Sequence, residues 1–229
     1  MKQVLTILFD LDGTLVDTAP DLMSAHNHVM KKFGYSSKSV DEIRNLVGKG
    51  ASVLIGRSIW GSAKKEFSKV TDEKIKKEMV KEFINYYGNN IVKESKLIKG
   101  VENFLIWAKN NNISMGVCTN KQEHLAVDLL KQIKIYDYFE YVAGGNTFDY
   151  CKPDPRHLTN VIEIMGGDIK KSIMFGDSEN DADAAKSAGI PMILLEDGYT
   201  DKSVNQIHHD YLIKDYLGIE KIVSKFIND

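Results

Sequence analysis

Residues 4–9 read VLTILF, an apolar, β-rich run that ends on two carboxylates one residue apart, Asp10 and Asp12, followed at once by Gly13 and Thr14. This is the pattern of a buried strand delivering acids to a turn. After Thr18 the period changes: Leu22, Ala25, Val29 and Phe33 recur at three- and four-residue steps behind Pro20, and Gly34 stops the run. A helix is predicted there. Further helices are predicted over 40–46, 51–59, 63–68 and 71–87, and no convincing strand occurs between Pro20 and Asn90. An all-helical insertion therefore interrupts a chain that began as a strand.

Beyond Gly100 helix and strand alternate. A helix is predicted over 101–109 and a compact strand over 113–118, ending in Thr119 and Asn120. Asn120 is a suitable helix cap with Glu123 three residues on, and Leu125, Ala126, Leu129, Leu130 and Ile133 form the stripe that follows. A strand at 141–143 ends in Gly144 and Gly145, and a helix begins after Pro155 with Leu158, Ile162 and Met165 on one face. The strand at 172–175 runs into GDSENDADAAKSAG, where Asp181, Ala184, Ala185 and Ala188 share a helix face small enough for close packing. Strands at 191–195 and 211–213 and a helix at 218–227 complete the pattern. Strands separated by helices imply an α/β fold, a doubly wound, Rossmann-like parallel sheet with helices on both faces.

Parallel strands present their carboxyl ends at one edge, where open α/β sheets bind ligands. Asp10 and Asp12, Thr119 and Asn120, Gly144 and Gly145, and Asp177 should converge there, joined by Lys152, which Pro153 keeps in extended backbone. Taken alone, the first pair is equally a turn, since Asp-Gly is a common turn dipeptide. Four acids (Asp10, Asp12, Asp177 and Asp181) around one lysine would raise one another's pKa values and cost stability. A bound divalent cation resolves the conflict, and an all-oxygen donor set suits magnesium. The histidines do not line up as ligands: His26, His28, His124 and His157 fall on predicted helices and His208 and His209 in a polar stretch.

The chain has 229 residues, 43% hydrophobic and 27% charged, with a net charge of −2. That length holds one large core or one core plus a smaller lobe, and the charge balance gives no footprint for nucleic acid. No run of about eighteen apolar residues suggests a membrane span. The chain goes from MKQ directly into the first strand, so a cytoplasmic location is expected. Cys118 and Cys151 read as reduced thiols, Cys118 as a small packed hydrophobe. The Lys-rich stretch 64–81 alternates with acids, as a solvated helix face does.

The ordered set FDLDGTLVDT, VCTN, CKPDP and FGDSENDADAAKSAG resembles the haloacid dehalogenase superfamily of phosphotransferases, over essentially the whole chain. The resemblance implies a core domain of 1–17 and 95–229 and a helical cap domain of 18–94, a movable lid hinged near 17–20 and 89–99. It implies Asp10 as the nucleophile that forms an aspartyl-phosphate, and Asp12 as the acid that protonates the leaving oxygen and then activates water. Magnesium would be held by the Asp10 side chain, the Asp12 backbone carbonyl and Asp177, with Asp181 close by. Thr119 and the Asn120 amide would hold phosphoryl oxygens, and Lys152 would neutralise them and orient Asp10. An acid at Asp12 argues against the dehalogenases, because a halide leaves without a proton and an ester oxygen does not.

Within the superfamily, IRNLVGKGASVLIGRSI and GGNTFDYCKPDP are similar to bacterial phosphoglycolate phosphatases, although many of these carry Asp where this chain has Asn146. The implied function is magnesium-dependent hydrolysis of a small phosphorylated metabolite, 2-phosphoglycolate. A lid that selects its carboxylate should supply a cation or amides; Arg44 and Lys49, beside Gly48 and Gly50, are the candidates, with two solvated lid charges as the other reading. A β-phosphoglucomutase-like transferase, a pyrophosphatase or a 5′-nucleotidase could use the same fold. A silent binding protein would have no need of the intact Asp10, Asp12, Lys152 and Asp177. Monomer and homodimer are equally compatible with the sequence.

Overall fold

The computed structural model describes residues 5–60 and 70–228; the helix predicted at 63–68 lies outside them. In chain order the elements are β1 (Thr6–Phe9), β2 (Val16–Asp17), α1 (Ala19–Lys32), α2 (Val40–Arg44), α3 (Ala51–Trp60), α4 (Val70–Gly88), β3 (Lys96–Leu97), α5 (Val101–Asn110), β4 (Ser114–Cys118), α6 (Glu123–Gln132), β5 (Tyr141–Ala143), α7 (Arg156–Ile164), β6 (Ser172–Gly176), α8 (Glu179–Ala188), β7 (Met192–Leu195), β8 (Tyr211–Ile213) and α9 (Glu220–Asn228). Six strands form one sheet in the order β5-β4-β1-β6-β7-β8, and every neighbouring pair is parallel.

β1 is central and buried along its length, as its unbroken apolar run requires of a strand covered on both faces. Alternate side chains feed two cores. Ile7, Phe9, Val117 and Phe175 join the cluster that includes Phe104 and Tyr216. Leu8, Cys118 and Met174 pack on the other side with Val161, Ala182 and Ala185. Phe9 lies opposite both Val117 and Phe175, so Asp10, Thr119 and Asp177 leave the sheet at nearly the same level.

From α1 to α4 every described element is a helix; α1 packs on α2 and α4, and α3 packs on α4. Two features tie the start of this helical stretch to its end. β2 and β3 form a two-residue antiparallel ladder, Val16 opposite Leu97 and Asp17 opposite Lys96. Buried Asp21 in the first turn of α1 accepts N–H bonds from Lys93 (3.0 Å), Glu94 (3.1 Å) and Ser95 (2.9 Å) and the Ser95 hydroxyl (2.6 Å). The sequence reading contained no strand at 16–17 or 96–97, because two residues have no periodicity to detect.

One helix start also differs from its prediction. Asn120 does not cap α6, which begins at Glu123 behind Gln122 with no side-chain cap from that residue. Asn146 supplies the acceptor instead, its Oδ1 taking the Glu123 N–H at 2.8 Å. Gly144 is required at this contact, since a Cβ there would lie 2.2 Å from the Glu123 nitrogen. No described helix is long and apolar enough to cross a membrane.

Candidate active site

At the carboxyl edge of β1 and β6, one carboxylate oxygen each from buried Asp10, Asp177 and Asp181 lies within 4.8 Å of the others. Asp10 is fixed by its own N–H, which donates to the Phe175 carbonyl at 2.9 Å. Asp177 Oδ2 accepts the Tyr199 N–H at 2.6 Å and Oδ1 the Thr14 hydroxyl at 3.1 Å. The turn carrying Thr14 approaches closely because residue 13 is glycine: its φ is +81°, and a Cβ would sit 2.2 Å from Asp177 Oδ2.

Asp181 is engaged from within the protein. Its Oδ2 accepts from the Ser178 N–H (3.1 Å) and hydroxyl (2.7 Å) at the start of α8, and its Oδ1 accepts from Lys152 Nζ at 2.5 Å. Lys152 Nζ also lies 3.0 Å from Asp10 Oδ1, without hydrogen-bond geometry, so that buried oxygen has no hydrogen-bond partner.

Three buried acids around one ammonium are under-neutralised. Burial pushes the Asp10 carboxyl up to about 6; Lys152 pulls it down, and Asp181 and Asp12 push it further up. Asp177 is driven well above the carboxylate range by burial, then by Asp181 and Asp10. Burial disfavours the Lys152 ammonium, but Asp10 and Asp181 outweigh it and hold its pKa above the ordinary lysine value. Hard, anionic oxygens with an unpartnered acceptor among them fit a divalent cation of the magnesium type. Asp10, Asp177 and Asp181 could each offer it an oxygen, Asp177 while also held by Thr14 and Tyr199 and Asp181 while also held by Lys152 and the α8 terminus.

Asp12 stands apart from this cluster. Its Oδ1 accepts from the Thr18 hydroxyl (2.7 Å) and Lys121 Nζ (2.8 Å), and its Oδ2 from Lys121 Nζ at 3.0 Å. Lys121 Nζ also donates to the Tyr87 hydroxyl at 2.9 Å and sits 4.4 Å above that ring. Asp12, Lys121 and Tyr87 border a cavity of about 50 Å³ lined also by Asp10, Thr119 and Asn120 and by apolar residues such as Leu22, Leu54 and Phe83. The Asn120 side chain stitches its wall together, Nδ2 donating to the carbonyls of Gly48 and Lys152, each at 3.0 Å.

The site residues expected from sequence thus fall into three groups. Asp10, Asp12, Thr119 and Asn120 line the cavity. Lys152, Asp177 and Asp181 buttress Asp10. Arg44 and Lys49 are not brought to the cavity. Arg44 pairs with Asp17 (3.0 Å) and Asp41 (3.2 Å) and lines a separate cleft with Lys99 and Tyr199. Lys49 pairs with Glu179 at 2.9 Å, while its neighbours Gly48 and Gly50 line the cavity. Lys121 was not among the expected residues; the available signal was a lysine in a strand-to-helix turn at the sheet's carboxyl edge. Both cysteines are free, and burial pushes the Cys118 thiol up to about 12, where it is no nucleophile.

The arrangement offers a buried carboxylate facing a cavity, a second carboxylate beside it and a seat for a cation. Residues 7–195 match the model of the haloacid dehalogenase-like hydrolases. The chain is 40% identical over 223 residues to a phosphoglycolate phosphatase of Agrobacterium fabrum, covering 95% of this chain and 94% of that one. It superposes with a TM-score of 0.87 on a crystal structure described as a predicted phosphoglycolate phosphatase from Haemophilus somnus, 32% identical and covering 97% of this chain and 99% of that one. A β-phosphoglucomutase from Clostridium difficile, 23% identical, shares the fold with a TM-score of 0.77 over 98% of each chain.

Proposed function

The chain belongs to the haloacid dehalogenase-like hydrolase family, and from that premise we propose that this phosphomonoester hydrolase is a magnesium-dependent 2-phosphoglycolate phosphatase working through an aspartyl-phosphate. Residues 1–17 and 95–229 form its core and 18–94 a helical cap over the site. The observation that carries the reading is the division of labour at the end of β1. Asp10 is backed by Lys152 and the buried acids, while Asp12, two residues on, reaches the same cavity with different partners.

Asp10 attacks phosphorus and the ester bond breaks as the acyl phosphate forms. Asp12 gives its proton to the departing alkoxide, then takes one from the water that attacks the aspartyl-phosphate and so regenerates Asp10. Thr119 and the Asn120 backbone amide hold phosphoryl oxygens, and Lys152 keeps the Asp10 carboxylate oriented. A divalent cation on Asp10, Asp177 and the Asp12 carbonyl would supply charge neutralisation for the phosphoryl group. The activity of the similar bacterial proteins supports the choice of substrate, and the cavity of about 50 Å³ is of a size for a small tail.

The test is phosphate release from 2-phosphoglycolate, β-glucose 1-phosphate, pyrophosphate, nucleoside monophosphates and an aryl phosphate, with magnesium and with chelator. Preferential, chelator-sensitive hydrolysis of 2-phosphoglycolate is expected. Equal rates across the panel, or conversion of the sugar phosphate to its isomer, would overturn the substrate assignment.

A further inference from the structure

We propose that Lys121, seated on Tyr87, is the residue that selects a substrate bearing a carboxylate next to the phosphoester; this rests on the reading of the cavity as a phosphomonoester hydrolase site. The first argument is placement. Lys152, Lys49 and Arg44 do not line the cavity: Lys152 lies against Asp10 and Asp181, Lys49 pairs with Glu179 and Arg44 with Asp17. Lys121 is the cation that lines the cavity among the described residues, and its side chain is only 4% exposed.

The second argument is donor geometry. An ammonium has three N–H donors; the two Asp12 oxygens, 2.8 and 3.0 Å from Nζ, subtend too narrow an angle to take one each, so a forked N–H serves both, the Tyr87 hydroxyl takes a second, and a third remains. The ion pair to Asp12 is therefore kept when the third donor turns to a ligand. The Tyr87 ring fixes the ammonium from below by a cation–π contact, and the phenol hydroxyl can turn to donate to the same ligand. The third argument is the rest of the lining. Leu22, Leu54 and Phe83 offer no hydrogen bonds and Asn120 Nδ2 is given to two carbonyls, so Lys121 is the charged donor that the described lining offers a substrate's second anion.

The consequence is a specificity device distinct from the expected lid cations. A buried charged donor that meets a carboxylate in the right ligand is left facing a methyl group in a neutral one, which disfavours the neutral ligand strongly. The discriminating pair of substrates is therefore 2-phosphoglycolate and ethyl phosphate, in which a methyl replaces the carboxylate.

We expect the wild-type enzyme to favour 2-phosphoglycolate in kcat/KM by on the order of 100-fold, and K121M to cut that ratio at least roughly tenfold, chiefly through KM. K121R should retain most of the preference and Y87F should lose part of it; these two keep the test intact should K121M fail to fold. Calorimetric titration of 2-phosphoglycolate into D10N and into D10N/K121M, where nothing turns over, should show the same weakening in Kd. If the wild type prefers 2-phosphoglycolate but K121M lowers both substrates equally through kcat, Lys121 acts only on Asp12 and the inference falls while the function stands. If the wild type shows no preference for the carboxylate, the substrate assignment falls and Lys121 with it.

Discussion

Asp10 and Asp12 are the same residue type two positions apart, and their surroundings give them different chemistry. Asp10 presents a buried oxygen without a hydrogen-bond partner, whereas both oxygens of Asp12 are held by Lys121 and one also by Thr18. Asp10→Asn should abolish turnover of every phosphoester. Asp12→Asn should slow an alkyl phosphate by roughly 10²–10⁴-fold and an aryl phosphate far less, because a phenolate leaves without a proton. Steady-state rates on the two substrates test this, and equal losses would remove Asp12 as the acid. His157 offers a separate test. It is wholly buried, and burial, then the Lys152 charge, lowers its pKa to about 4. A depressed histidine contributes stability in full above its ordinary pKa of about 6.5, and that contribution declines as pH falls toward 4. The stability lost between pH 7.5 and pH 5 in urea titrations should therefore shrink by about 2 kcal/mol in His157→Leu; an unchanged loss would show that the ring is hydrated in solution. The acids were legible in sequence because each follows an apolar strand. Lys121 was not, since its partners Tyr87 and Asp12 are 34 and 109 positions away and a lysine in a turn is ordinarily solvated.

Helices α1 to α9 and strands β1 and β4 to β8 could be read from their patterns, and so could the helical character of the described stretch between β2 and β3. What closes that stretch could not. Asp21 reads as an acid in a first helical turn, a routine helix-dipole feature. In the fold it gathers the backbone of 93–95, more than seventy positions on. Asp21→Ala would leave three buried or half-buried N–H groups without their acceptor, at a cost of about 2–4 kcal/mol. It should also raise KM, because the two crossings into the helical region would lose a shared anchor. Chemical denaturation and steady-state kinetics on one preparation check both effects, and a stability change below about 0.5 kcal/mol would mean that water replaces the carboxylate. The capping of α6 by Asn146 was hidden for the same reason. Its acceptor comes from the turn after β5, and Asn120, the residue with local capping chemistry, is used to join Gly48 to the Lys152 loop.

Across the whole molecule, the parallel sheet was legible because strands covered on both faces are unbroken apolar runs. The order β5-β4-β1-β6-β7-β8 was not, since sequence alone does not state which strands are neighbours. That order brings Asp177 beside Asp10, and the electrostatic cost of doing so sets the last prediction. In the metal-free protein the raised Asp10 and Asp177 carboxyls favour the folded state only while protonated. For Asp10 that contribution is complete below its ordinary value near 3.8 and is lost as pH rises through about 6. At pH 7.5 Asp10 is ionised beside its acidic neighbours, and a divalent cation relieves that repulsion; at pH 5.5 protons already occupy much of Asp10 and compete with the cation. Magnesium at about 100 times its Kd should stabilise by about 2.7 kcal/mol, or roughly 5–10 °C in Tm. The gain should be larger at pH 7.5 than at pH 5.5, and Asp177→Asn should remove most of it. Thermal melts with magnesium, with chelator and with sodium at matched ionic strength read all three effects. An equal gain at both pH values would place the cation away from Asp10, and with it the assigned role of the acid cluster would fail.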